Sequence, residues 1–207
     1  NEPVSSDLWI GPSVGHVTVA LDARQRTLGL PNAEMGQLVT DSMIAYARER
    51  GVIADLAIVN AGAIAYDPVK LRDGIYPAGS VLAGAVREML PFDNRLEVLK
   101  VPGKDLLQSF ERSFAYFPFP ASSFLQPSRQ LSAQISVTEL GWPWPGSVDT
   151  IQLSIGATPL DPARIYTVVT NDYLARGGAG YEELSGHPAR DIGSAREALA
   201  WYIGQSS

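Results

Sequence analysis

Cysteine is absent from the 207 residues. Disulfides and thiolate chemistry are therefore excluded, and the redox compartment is left open. Histidine is nearly absent: His16 and His187 are the only two. Neither stands in a D-x-H, N-H-D or H-x-H cluster of the kind a metal-dependent hydrolase needs. Both lie in polar, turn-like settings and read as solvated or locally hydrogen-bonded side chains. A serine nucleophile needs a positioned base, and the sequence marks none. Positive charge is scarce, 16 Lys and Arg against 22 Asp and Glu for a net charge of −6; a nucleic-acid surface needs the opposite balance. No apolar run approaches the length of a membrane span. No signal peptide is evident, which reads as a mature or trimmed chain. Internal repeats and low-complexity segments are lacking as well.

What remains is ordinary for a folded domain. Hydrophobic content is 45% and charged content 18%, as in a soluble globular protein with one substantial core. Fifteen prolines and nineteen glycines imply many turns. Residues 1–14 mix proline, glycine and polar side chains and read as a linker or lead-in arm, with Trp9 and Ile10 pinned to the surface. Residues 15–207 read as the domain.

Val17–Leu21 alternates as a first strand. Asn32 is the expected N-cap of a helix with Glu34 in its first turn. Met35, Leu38, Val39, Met43 and Tyr46 follow helical spacing to about Arg50, and Gly51 stops the helix. Leu56–Val59 is apolar on both faces, as an interior strand is. Ser80 is the expected cap of a helix over Val81–Met89 that Pro91 ends. Arg95–Val101 alternates as a half-exposed strand, and a helix runs from Gly103 to about Phe114. Tyr116–Pro120 reads as a proline-stiffened aromatic loop. Strands follow at Leu131–Val137, Thr150–Ile155 and Ile165–Thr170, the first two joined by a bulky Trp142-Pro143-Trp144-Pro145-Gly146 loop. A helix closes the chain at Ser194–Ile203. The irregular alternation predicts an α/β fold with a mixed central sheet covered by helices.

Two stretches carry the functional signal. Ile165–Thr170 runs into Asn171-Asp172-Tyr173-Leu174-Ala175-Arg176-Gly177-Gly178-Ala179-Gly180-Tyr181, with three glycines in four positions. Such a turn lets backbone approach a ligand closely, and Tyr173 beside it suits a flat ring. Asp55-Leu56-Ala57-Ile58-Val59-Asn60-Ala61-Gly62-Ala63-Ile64 is likewise a strand entering a small-residue loop, and Met89-Leu90-Pro91-Phe92-Asp93-Asn94 follows it. Taken in order, these blocks and Gly36-Gln37-Leu38-Val39-Thr40-Asp41-Ser42-Met43 resemble the C-terminal substrate-binding domain of the bimodular 5'-nucleotidases. The resemblance runs from about Gly15 to Tyr202.

The resemblance implies a periplasmic or extracellular metallophosphoesterase. Its divalent metal pair and catalytic residues belong to an N-terminal domain missing here, so this chain holds no cofactor of its own and is expected to be inactive alone. Phe92 and Tyr173 match the two rings that clamp a nucleotide or nucleoside base, with Asn60 and Asn94 as polar contacts at its edge. Gly62, Gly177 and Gly178 belong to the adjoining loops. An asparagine amide can both donate and accept along a base edge.

Three positions depart from the pattern. Ala65 and Gly29 stand where the family carries arginines, and Ala179 where its G-G-D-G turn carries aspartate. Arginine holds phosphate through charge-assisted, often bidentate hydrogen bonds that alanine and glycine cannot supply. Arg72, Arg129 and Arg176 lie near these loops in sequence. Two readings follow: the substrate-recognition half of a nucleotidase, or a diverged non-catalytic module whose ligand is not a nucleotide monophosphate.

Overall fold

The computed structural model describes residues 9–138 and 147–205. In chain order the strands are β1 (Ser13–Val17), β2 (Leu21–Asp22), β3 (Leu56–Asn60), β4 (Ile75–Tyr76), β5 (Gly79–Leu82), β6 (Arg95–Pro102), β7 (Leu125–Pro127), β8 (Leu131–Thr138), β9 (Ser147–Ile155), β10 (Thr158–Pro159), β11 (Ile165–Asn171) and β12 (Ala189–Ser194). The helices are α1 (Gln25–Leu28), α2 (Glu34–Glu49), α3 (Ala83–Met89), α4 (Gly103–Ser113), α5 (Asp172–Ala175) and α6 (Ala195–Gln205).

Five strands form the central sheet in the order β12-β6-β11-β3-β7. β11 and β3 are parallel, and the other pairings are antiparallel. This is the mixed α/β sheet the sequence predicts. All five residues of β3 are buried, as an interior strand covered on both faces requires. β6 buries Leu96 and Val98 on one face and Leu99 and Val101 on the other, since side chains alternate across a strand. Helix α2 packs on β3, β7 and β11 and against α6, while α4 packs on β6 and β9. Each fully buried Leu, Ile or Met side chain in these layers contributes about 1.5–3 kcal/mol.

Helix α2 buries Met35, Val39, Met43 and Tyr46 toward the sheet. It ends as expected: Gly51, at φ +74°, lets its own N–H reach Arg48 O (3.0 Å) while Val52 N–H reaches Ala47 O (2.9 Å). These two bonds satisfy carbonyls left open by the last turn. The start differs from expectation. Ala33 is the N-cap, in extended backbone with no side-chain cap bond. Asn32 instead takes the turn before it, at φ +64°, a conformation asparagine tolerates better than most residues.

Two other local expectations fail for one reason. Val17–Leu21 is not continuous: β1 ends at Val17, and Leu21 starts β2, which pairs with β4. Ser80 caps no helix. It lies in β5 opposite His16 of β1, and its hydroxyl meets that of Ser13 at 2.8 Å. Both segments are fixed by partners some 60 residues away in sequence, which a local hydrophobic period does not register. β7 and β12, at the two sheet edges, are similarly short or polar. β8, β9 and β10 form a separate antiparallel sheet with β8 largely exposed; the Trp142–Gly146 loop lies outside the described residues. Ahead of β1, Trp9 is buried against Tyr76, ring centroids 5.6 Å apart, whereas Ile10 is exposed.

Candidate functional site at the carboxyl ends of two parallel strands

Because β3 and β11 run parallel, their last residues, Asn60 and Asn171, reach the same end of the sheet. β6 is antiparallel to β11 and begins at that end, with Leu96 opposite Asn171. The Leu90–Asn94 turn that feeds β6 therefore arrives beside both asparagines. Open α/β sheets bind ligands outside the carboxyl ends of their parallel strands. The topology thus brings three sequence blocks, far apart in the chain, to one edge.

The asparagines are linked. Asn171 caps α5, its Oδ1 accepting from Leu174 N–H at 2.8 Å. Its Nδ2 donates to Asn60 Oδ1 at 3.2 Å. Both residues are buried. A Cβ built on Gly62 would lie 3.3 Å from Asn60 Nδ2, so the amide nitrogen lies against the loop that follows β3. Sequence reasoning passed over Asn171 as a site residue. The signal was an asparagine between a strand and Asp-Tyr-Leu, the usual place for an N-cap.

The rings stand outward. Phe92 is 56% and Tyr173 50% exposed. Among the described residues, ring pairs form at Trp9–Tyr76, Tyr46–Trp201, Phe114–Phe117 and Phe114–Phe124, and neither Phe92 nor Tyr173 takes part. Behind Phe92, a gap lined by Val39, Met43, Leu90, Asn94 and Asn171 encloses only about 10 Å³, no more than one water. The free side of the phenyl ring faces out. Asn94 is half-buried, its carbonyl accepting from Ala195 N–H at 3.0 Å.

Tyr173 is held by the glycine turn. Its hydroxyl accepts from Ala179 N–H at 2.9 Å. A Cβ on Gly178 would come within 2.6 Å of ring atoms Cδ2 and Cε2 and 2.5 Å of Tyr173 O. Gly178 is thus a close approach of backbone to ring, and Gly177, at φ +82°, leads into it. Tyr181, on the other side of the turn, is fully buried and donates to Ser123 O at 2.6 Å. Burial pushes its phenol up from the ordinary range, so it is a core residue. Arg95 N–H donates to Asp172 Oδ1 at 3.1 Å, which ties the Phe92 turn to the Tyr173 turn.

The charged neighbours are mostly engaged. Arg176 pairs with Asp172 at 3.2 Å but keeps an exposed side chain. Arg129 pairs with Asp41 of α2 at 2.9 Å; burial, ahead of the opposing pull of Arg129, raises the Asp41 carboxyl. Arg72 is exposed. At Gly29 a Cβ would meet Ala121 N at 2.5 Å, Gln25 O at 2.8 Å and Ala121 O at 2.9 Å. The backbone has closed over that position. Ala65 is half-buried, its N–H bonded to Met89 O at 2.9 Å.

Among the described residues no group of three or more His, Cys, Asp or Glu could hold a metal ion. His16 is exposed on β1, and His187 Nε2 lies 2.9 Å from Glu183 O and 3.5 Å from the Asp105 carboxylate. These side chains do not fit a dinuclear metal centre. A larger cleft, about 330 Å³, lies at the β7 edge among Phe110, Phe114, Phe117, Phe124 and Leu131. The buried Gln126 beside it spends its Nε2 on Leu28 O (2.6 Å) and Leu30 O (2.7 Å), so it offers no donor there. Of the matched blocks only Gln37 reaches that cleft, and none of Asn60, Phe92, Asn94, Asn171 and Tyr173 lines it.

The fold and site define an α/β domain whose loops gather asparagine amides and exposed aromatic rings at one sheet end. A sequence profile of the 5'-nucleotidase C-terminal domain matches residues 13–186, and the chain belongs to that family. It is 29% identical over 173 residues to the trifunctional nucleotide phosphoesterase protein of Bacillus subtilis, covering 81% of this chain and 11% of that protein. It is 29% identical over 150 residues to a cell wall protein of Listeria monocytogenes, covering 72% of this chain and 18% of that one. The 5'-nucleotidase precursor from Thermus thermophilus has a matching structure, with a TM-score of 0.77 at 27% identity, over 94% of this chain and 36% of that one. The chain therefore spans only a minor part of the relatives it matches.

Proposed function

We propose that this chain is the substrate-recognition half of a 5'-nucleotidase-like phosphoester hydrolase and binds a nucleotide or nucleoside mainly through its base. The observation that carries the reading is the convergence of Asn60, Asn171, Phe92, Asn94 and Tyr173 on the carboxyl ends of β3 and β11. Two exposed rings supply faces for a base, and stacking of this kind is worth roughly 1–3 kcal/mol per base in nucleic-acid binders. The amides of Asn60 and Asn94 supply its edge.

Hydrolysis belongs to an N-terminal metallophosphoesterase domain, which holds a divalent metal pair and receives the phosphate end of the substrate. This chain contributes binding and orientation, which lower a barrier by fixing the reacting group. Kinship with a cell wall protein supports a periplasmic or extracellular setting.

A second reading has one specific observation in its favour. Gly29 is closed over by the Ala121 backbone, so an arginine could not return there without moving the chain. On that reading the ligand is a ring compound without a 5'-phosphate. Titration with adenosine and adenosine 5'-monophosphate, followed by NMR, tests both. Binding of either, with shifts at Phe92 and Tyr173, supports base recognition. Binding of neither defeats it.

A further inference from the structure

We infer that Asn171 fixes the polarity of Asn60, so that the site shows its ligand a hydrogen-bond donor and selects a ring edge carrying an acceptor. The inference rests on the base-recognition reading and adds a specificity-determining role for a residue that touches no ligand.

The chain of assignments starts from a group that cannot be reversed. Leu174 N–H can only donate, so the Asn171 atom 2.8 Å away is its carbonyl oxygen. The other terminal atom of Asn171 is then the amide nitrogen, which can only donate. It lies 3.2 Å from Asn60, whose facing atom must be its oxygen. Asn60 is thereby left with Nδ2 directed away from Asn171, toward the loop of Gly62. Among the described residues no acceptor pairs with Nδ2, and that nitrogen is not sealed from solvent. A donor left open beside the Gly62 loop, on a residue otherwise buried, favours a ring nitrogen with a free lone pair and disfavours an N–H at the same place. Asn171 is a positioning residue: it acts through Asn60.

Replacing one atom should reverse the pattern. In Asn171→Asp one carboxylate oxygen still accepts from Leu174 N–H, because aspartate is as good an N-cap as asparagine. The other oxygen now needs a donor, and the Asn60 amide turns over to provide it. Asn60 then presents its oxygen outward.

The test titrates adenosine and its 1-deaza, 3-deaza and 7-deaza analogues, each with one ring acceptor removed, into the chain and into Asn171→Asp. The expected result is that one analogue binds at least fivefold more weakly than adenosine to the unsubstituted chain. In Asn171→Asp that difference should vanish or invert. Equal binding of all four ligands, or unchanged discrimination in the variant, overturns the inference. A ligand-free measurement separates this from failure of the base-recognition reading. Side-chain amide NOEs should connect the Asn60 Hδ2 protons to Gly62 Hα in the unsubstituted chain and lose that contact in Asn171→Asp. An NOE pattern already linking the Asn60 Hδ2 protons to the Asn171 side chain instead of Gly62 overturns the polarity whatever binds.

Discussion

Tyr173 leans on Gly178. The ring lies where a side chain at 178 would have to start, and its hydroxyl takes the N–H of Ala179 at 2.9 Å. The glycine turn is therefore the seat of the aromatic ring, and the exposed half of Tyr173 is presented at a fixed angle.

Gly178→Ala should disturb that seat. The added methyl meets ring carbons at 2.6 Å and a backbone oxygen at 2.5 Å, well inside contact distance. Overpacking of this kind costs about 1–3 kcal/mol. Urea denaturation should report a loss in that range, and the Tyr173 ring resonances should move. An unchanged midpoint with unmoved resonances would mean that the turn is soft.

Ala179 is a different case, because it sits in left-handed backbone at φ +56°. That conformation costs an ordinary residue about 1–2 kcal/mol, and glycine surrenders about 0.5–1 kcal/mol of unfolded-state entropy in return. Ala179→Gly should be stabilising by roughly 0.5 kcal/mol on balance. Ala179→Asp, which restores the family's residue, should leave stability nearly unchanged and tighten binding of a ribonucleoside relative to its 2',3'-dideoxy form. A clear loss of stability in Ala179→Gly would contradict the strain argument.

Much of this architecture was legible in the sequence, and the limits have physical causes. β3, β6, β11, α2, α4 and α6 each carry a strong local period or a clear stop, and the structure returns them within a few residues. β1, β2 and β5 are short pieces held by distant partners, so their residues carry no sufficient local signal. The site was legible as three ordered blocks, but composition could not say which of their aromatics face out. Tyr181 and Tyr173 flank one turn, yet one is core and the other half exposed. The Asn60–Asn171 bond depends on the parallel pairing of β3 with β11, and residues 111 apart in sequence reveal it only once the sheet is built.

Acid stability should depend on Asp22. Its carboxylate accepts from Arg24 Nε (2.8 Å), Arg24 N (3.0 Å) and Thr27 Oγ1 (2.8 Å), with a further bond to Arg24 Nη2. Burial pushes the carboxyl up, but these donors outweigh it and hold it down at about 2. The folded value lies below the unfolded one. The contribution is therefore complete above about pH 4, declines as pH falls, and is gone below about pH 2. Allowing for solvent screening it amounts to about 1–2 kcal/mol. Asp22→Asn should be less stable than the unsubstituted chain at pH 7, and the gap should close toward pH 2. A gap constant across that range would contradict the assignment.

The missing arginines make contrasting predictions. Gly29→Arg should destabilise the fold by about 1–3 kcal/mol, since its Cβ alone meets the Ala121 backbone at 2.5 Å. Ala65→Arg starts from a half-buried position that already carries a Cβ and should fold. It should tighten binding of adenosine 5'-monophosphate over adenosine by about tenfold, or 1.4 kcal/mol. If Ala65→Arg binds both ligands alike, position 65 does not face the phosphate.

The central claim is that the ring of the ligand is held and its phosphate hardly at all. The most direct measurement is paired titration of the unsubstituted chain with adenosine and adenosine 5'-monophosphate. Two stacking faces and a few amides yield modest free energy once lost freedom is subtracted, so both should bind in the high micromolar to millimolar range, about 4–6 kcal/mol. The two affinities should agree within about twofold, and the difference should change little with salt. Phe92→Ala or Tyr173→Ala should weaken both equally. Tenfold tighter binding of the monophosphate, reversed by salt and abolished by Arg176→Ala, would contradict the claim and make Arg176 the phosphate anchor.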